Sequence, residues 1–128
     1  MDEYLKLIKD FCLEVGIDSW EQVARTGHIE IDNRVIGLIH DGEPGGGMSI
    51  YVDLGALFTE RDPGIYQKML VANLAPHREL TGCFGVHPST GNAVYRMRIS
   101  PLITGPDLAR RLSLETEEVA TQFQEMVA

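Results

Sequence analysis

Cys83 and His87 are the pair in this chain most open to a catalytic reading, because an imidazole that takes a thiol's proton makes a nucleophile. Their spacing argues against it. The surrounding residues alternate as a strand, and four residues of extended chain span roughly 13 Å, too far for that proton transfer. The other histidines, His28, His40 and His77, are scattered without an HxH, HExxH or His–carboxylate spacing that would bring two ligands to one face, so no metal is expected. Gly45-Gly46-Gly47 could offer amides to an anion, yet no Lys-Ser/Thr follows and the next element reads as a strand. A hairpin loop is expected there, and no phosphate-bearing cofactor. Among the carboxylates Asp53, Glu60 and Asp62, the last precedes Pro63 and reads as a helix cap, and the others read as surface acids. Cys12 falls on an apolar stripe, and the two cysteines, far apart and outside any CxxC, signal neither zinc nor a disulfide framework. No catalytic, cofactor or metal residue is therefore nominated, and the chain reads as a binder of another polypeptide.

With 128 residues, 44% apolar and 23% charged, the sequence describes one folded domain over residues 1–128. Its net charge of -8 would repel phosphate backbones and anionic headgroups, which argues against nucleic-acid and membrane partners. Met1-Asp2-Glu3-Tyr4 lacks the basic and apolar regions of a signal peptide, and no apolar run approaches the ~18 residues of a membrane span. A reducing cytoplasm is the expected location.

The elements follow from periodicity. Tyr4, Leu5, Leu7, Ile8, Phe11, Cys12 and Val15 share one side of a helix over residues 2–15, with Gly16 as its stop and Leu13 stranded almost opposite. Ile29 and Ile31, the Asp32-Asn33 turn and the apolar run 35–39 predict a hairpin. After the glycine-rich loop 41–47, Met48, Ile50, Val52 and Leu54 alternate as a third strand. Asp62-Pro63 predicts the entry of a helix running to residue 75. Ile65, Tyr66, Met69, Leu70, Val71, Ala72 and Leu74 surround nearly its whole circumference, so it must be buried on both sides. Residues 80–86 and 92–100 form a second hairpin about a Pro88-Ser89-Thr90-Gly91 turn. A last helix over 104–126 places Leu108, Leu112, Val119, Ala120, Phe123 and Met126 on one face and Glu115 off it, with Ser113 a place where it can break. The order α-β-β-β-α-β-β-α implies an α+β fold, an antiparallel five-stranded sheet packed by three helices.

Two amphipathic helices suffice to cover one face of such a sheet. The all-round middle helix, the apolar run 35–39 and Leu13 then ask for further partners.

The chain is similar in this order to a known family, and local stretches strengthen the likeness: SIYVDLGAL at 49–57, GCFGVHPSTGNAVYRMRI at 82–99 leading into Ser100-Pro101-Leu102, and the acidic closing helix. Gly85-Val86-His87-Pro88 before Thr90-Gly91 is the most distinctive piece. These features resemble the class I chaperones of bacterial type III secretion, the Tir chaperone-like family, over nearly the whole length. The resemblance implies a cytoplasmic homodimer that, without ATP, binds the N-terminal region of an exported effector and keeps it extended and secretion-competent. It assigns the dimer interface to Ile65, Tyr66, Met69, Leu70 and Leu74 on the middle helix, joined by Tyr95. Client binding in such proteins, by strand addition and apolar grooves, points here to Leu13, Ile29, Ile31, Ile36 and Leu38. The loop 41–47 and Arg96 and Arg98 match no feature of the family. A protein-binding adaptor of related fold, or a small enzyme using Cys83, would share much of this pattern.

Overall fold

Residue spacing explains where the first helix sits. In α1 (Glu3–Val15), Leu7, Ile8, Phe11 and Cys12 form one buried stripe, Val15 lies at its exposed end, and Leu13 on the opposite side is 69% exposed. Left-handed Gly16 at φ 80° ends the helix and lets the Ile17 N–H reach the Cys12 carbonyl at 2.8 Å. The structure, a computed structural model, describes residues 3–31, 33–40, 48–74, 82–100 and 102–127. The loop expected at 41–47, the helix end at Ala75, His77 and the strand start at Leu80 lie outside them.

A helix that the sequence reading did not contain follows: α2 (Trp20–Thr26), making four helices instead of three. It buries only Val23, with Trp20 and Ala24 partly packed on the core, and seven residues with one buried position leave no readable period.

The five strands are β1 (His28–Ile31), β2 (Arg34–His40), β3 (Met48–Gly55), β4 (Cys83–Val86) and β5 (Ala93–Ile99). All pairs are antiparallel in the order β1-β2-β3-β5-β4, so β1 and β4 are the edges. The register carries Ile29, Ile36, Val52, Tyr95 and Phe84 across the sheet as one row, and all five side chains are buried. Alternation sends the next row, Gly37, Tyr51, Arg96 and Cys83, to the other face. The Tyr51 ring fills the space beside Gly37, where a Cβ would come within 2.0 Å of it. Val35 and Ile39 share this second face and are exposed, so the apolar run of β2 serves both sides of the sheet.

The expected middle helix begins at Ile65, two residues after Pro63, as α3 (Ile65–Leu74). Asp62 instead closes the preceding turn: its Oδ1 accepts the Gly64 N–H at 3.2 Å and its carbonyl the Ile65 N–H at 3.2 Å. The last helix, α4 (Gly105–Val127), runs through Ser113 without a break. Thr104 caps it, its Oγ1 accepting the Asp107 N–H at 3.2 Å. Gly105 brings α4 against α1 so closely that a Cβ would lie 2.6 Å from the Asp10 carbonyl carbon. Residues of all four helices and one face of the sheet form a single apolar cluster.

Candidate functional site

The residues with chemical potential are occupied by architecture. His87 Nδ1 accepts the Ser89 and Thr90 N–H groups at 3.1 and 3.4 Å, and its backbone closes the hairpin with Gly91 and Asn92. The distinctive stretch 85–91 is thus a turn stabilised by its own histidine. Asp53 accepts the Gly55 N–H at 2.8 Å and the Asn92 side chain at 3.2 Å, pinning a bulge in β3 to that turn. Asp62 pairs with Lys68 at 3.0 Å. Cys83 is exposed, whereas Cys12 is buried and its thiol pKa is pushed up by desolvation, away from reactivity. Arg96 spends its Nε and Nη2 on Ser49 Oγ, at 3.1 and 2.9 Å. Among the described residues no group of His, Cys, Asp and Glu could hold a metal ion.

The expected interface residues divide between two sides of α3. Ile65 and Met69, four apart, face this chain's own core. Tyr66, Leu70 and Leu74, also four apart, and neighbouring Val71 face outward, with Leu70 69% and Leu74 88% exposed. The helix is therefore apolar all round because one side packs on the sheet and the other forms a bare apolar row. It is held from two directions: Lys68 Nζ donates to the Met126 carbonyl at 2.9 Å, and Asn73 bonds the backbone of Phe84. Tyr95, also expected at the interface, is 1% exposed. It packs edge-on against Phe84, accepts the Gly82 N–H and donates to Glu115 Oε1 at 3.5 Å. Burial, above all, pushes its pKa up to about 12.

Glu115 is the polar residue that sequence reading misplaced. It is buried on the inner face of α4, and its Oε2 takes the Arg111 Nε at 2.7 Å. The signal was present in its spacing, three residues after Leu112 and four before Val119, which puts it on the buried stripe.

The expected client-binding residues do not form one patch. Ile29, Ile36 and Leu38 are buried among the core residues, while Ile31 is half-buried. Ile31 and Ile36 line a groove of about 480 Å³ with Phe11, Val15, Leu112 and Ala120, between the β1–β2 hairpin, the end of α1 and α4. Leu13 lies elsewhere, in a groove of about 610 Å³ whose other wall is the segment before α4, with Leu102 and Ile103. Leu102 is 77% exposed and is not among the expected client-binding residues, since a lone leucine in a loop has no period to reveal it.

No helix among the described residues is long and apolar enough to cross a membrane. Similar folds occur in solved complexes. A chain of the ExsC–ExsE complex superposes with a TM-score of 0.75 at 17% identity, covering 97% of this chain and 96% of the other. A chain of the HopA1–SchA chaperone–effector complex gives 0.68 at 19% identity, with 96% and 94% covered. A chain of the heterodimeric ExoU–SpcU complex from the type III secretion system of Pseudomonas aeruginosa gives 0.54 at 14% identity, with 77% and 79% covered. Comparison with curated protein sequences returns no match. The model of one family, however, matches residues 6–119, which takes in every strand and the greater part of α1 and α4. By that match, and in agreement with the resemblance read from its sequence, the chain belongs to the Tir chaperone protein (CesT) family, the class I chaperones of type III secretion.

Proposed function

We propose that this chain is a cytoplasmic, non-catalytic homodimer, one domain over residues 1–128, that binds the N-terminal segment of a type III secretion effector and keeps it extended, soluble and secretion-competent. The observation that carries this reading is the family match over residues 6–119, on a fold similar to chains of chaperone–effector complexes. The bare row Tyr66, Leu70, Val71 and Leu74 supports dimerisation through α3, with Ile65 and Met69 seating the helix on the core. A client segment is received by the groove that Ile31 and Ile36 line, with Ile29 and Leu38 buried in the same hairpin, and by Leu13 on the far side of α1. Ordering a disordered segment costs on the order of 2–5 kcal/mol and typically buries about 1,000–3,000 Å², and two apolar grooves per protomer suit that need. A thiol enzyme is disfavoured because His87 Nδ1 accepts two backbone N–H groups, which leaves Nε2 carrying the proton of the neutral ring and no free lone pair to take the Cys83 proton.

The test is affinity purification of the tagged chain from its native cell, with the captured protein identified and then shortened. Capture of a secreted protein that is lost when its N-terminal segment is deleted, and weakened by Leu13→Asp in a folded chaperone, is the expected result. Capture that depends only on a folded domain of the partner would replace the chaperone by an adaptor.

A further inference from the structure

The sheet has two edges, and they are not equally open. Asn73, near the end of α3, receives the Phe84 N–H on its Oδ1 at 2.6 Å and donates its Nδ2 to the Phe84 carbonyl at 3.0 Å. One primary amide thereby makes the two-bond contact that a neighbouring antiparallel strand would make with an edge residue. Phe84 lies opposite Tyr95 in the β4–β5 ladder, and since Asn73 takes both its N–H and its carbonyl, this is a pair whose backbone groups point away from β5. In a strand of four residues, this occupies the middle of the edge. At the other edge, no side chain among the described residues is bonded to the backbone of Ile29, Glu30 or Ile31. An unpaired edge is a template for any extended chain, and a side chain that fills it removes the template.

We propose that Asn73 is an edge lock, which closes β4 to incoming strands and so directs an extended partner segment to β1. The second half rests on strand addition as the client-binding mode, whereas the lock itself does not. The lock also ties α3 to the sheet, so the side chain that closes the edge helps to position the apolar row for a second copy.

Hydrogen exchange on the whole chain, read by NMR, tests the lock. Asn73→Ala should make the Phe84 amide exchange about tenfold or more faster while Ile50 and Val52 in β3 are unchanged. Asn73→Asp, which keeps the acceptor, should preserve much of that protection. Repeating the measurement with Leu70→Glu as background removes any cover by a second copy. Equal Phe84 exchange with and without Asn73 overturns the lock. If Asn73→Ala loosens the whole sheet, the unmutated chain decides, because a Phe84 amide no better protected than those of β1 also overturns it.

A short synthetic peptide of alternating valine and threonine with lysine ends tests the direction. Its shifts should map to β1 in the unmutated chain and to both edges in Asn73→Ala. Binding at β4 in the unmutated chain overturns the proposal. Binding at neither edge overturns the direction to β1 and strand addition with it, while the exchange experiment still decides the lock.

Discussion

A tyrosine hydroxyl inside an apolar core is tolerated only when bonded, and Tyr95 is bonded to both Gly82 and Glu115. Its raised pKa has a consequence with a definite sign. The unfolded chain gives up this proton near pH 10, the folded chain near 12, so between those values the native state holds a proton that the unfolded state has lost. The Tyr95 contribution to stability is therefore whole below about pH 10 and disappears as the pH rises through 12. Tyr95→Phe should flatten the fall in melting temperature over that window; a variant that falls as steeply as the parent would show that Tyr95 is not the titrating group. At neutral pH the same variant should lose about 1–3 kcal/mol, because the Gly82 N–H is left without its partner. Leu13 could be read from the sequence because exposure of one helical residue depends only on rotation about one axis. The bond of Glu115 to Tyr95 could not, since that partner stands 20 residues away on another element.

At the scale of elements, sequence reading recovers those whose own periodicity is strong. α1, α4 and all five strands carry enough alternating or helical apolar positions to announce themselves, whereas α2 does not. The all-round apolar pattern of α3 required two covered sides, and the structure supplies one, through Ile65 and Met69. The other side stays exposed in the single chain, and in the proposed dimer its cover is a second molecule, which no intrachain pattern can name. The division within α3 separates two substitutions that look alike in sequence. Leu70→Glu places a charge on the bare row and should dissociate the dimer by at least tenfold in Kd with little change in the folding of the protomer. Met69→Glu places it in the core, where an unpaired carboxylate costs several kcal/mol, and should unfold the chain. Sedimentation measures the first and circular dichroism the second. Were Leu70→Glu to sediment as the parent does, α3 would not be the interface.

For the whole molecule, a long-range effect and a contact effect oppose each other. In the proposed dimer each copy carries a net charge of -8, so two copies would repel, while the row Tyr66, Leu70, Val71 and Leu74 would draw them together through loss of apolar surface, worth roughly 1.5–3 kcal/mol per fully buried side chain. Salt separates these contributions. Added sodium chloride shortens the screening length, to about 8 Å at physiological strength, which weakens the repulsion and leaves apolar burial untouched. In light scattering the mass should stand near twice 14.2 kDa, and the dimer should tighten as salt is raised from low to physiological strength. An interface built on ion pairs would respond in the opposite direction. Dissociation on adding salt would therefore remove the apolar face of α3 as its basis, and would move the search to charged surfaces such as the outer face of the sheet, where Arg96 and Arg98 lie exposed.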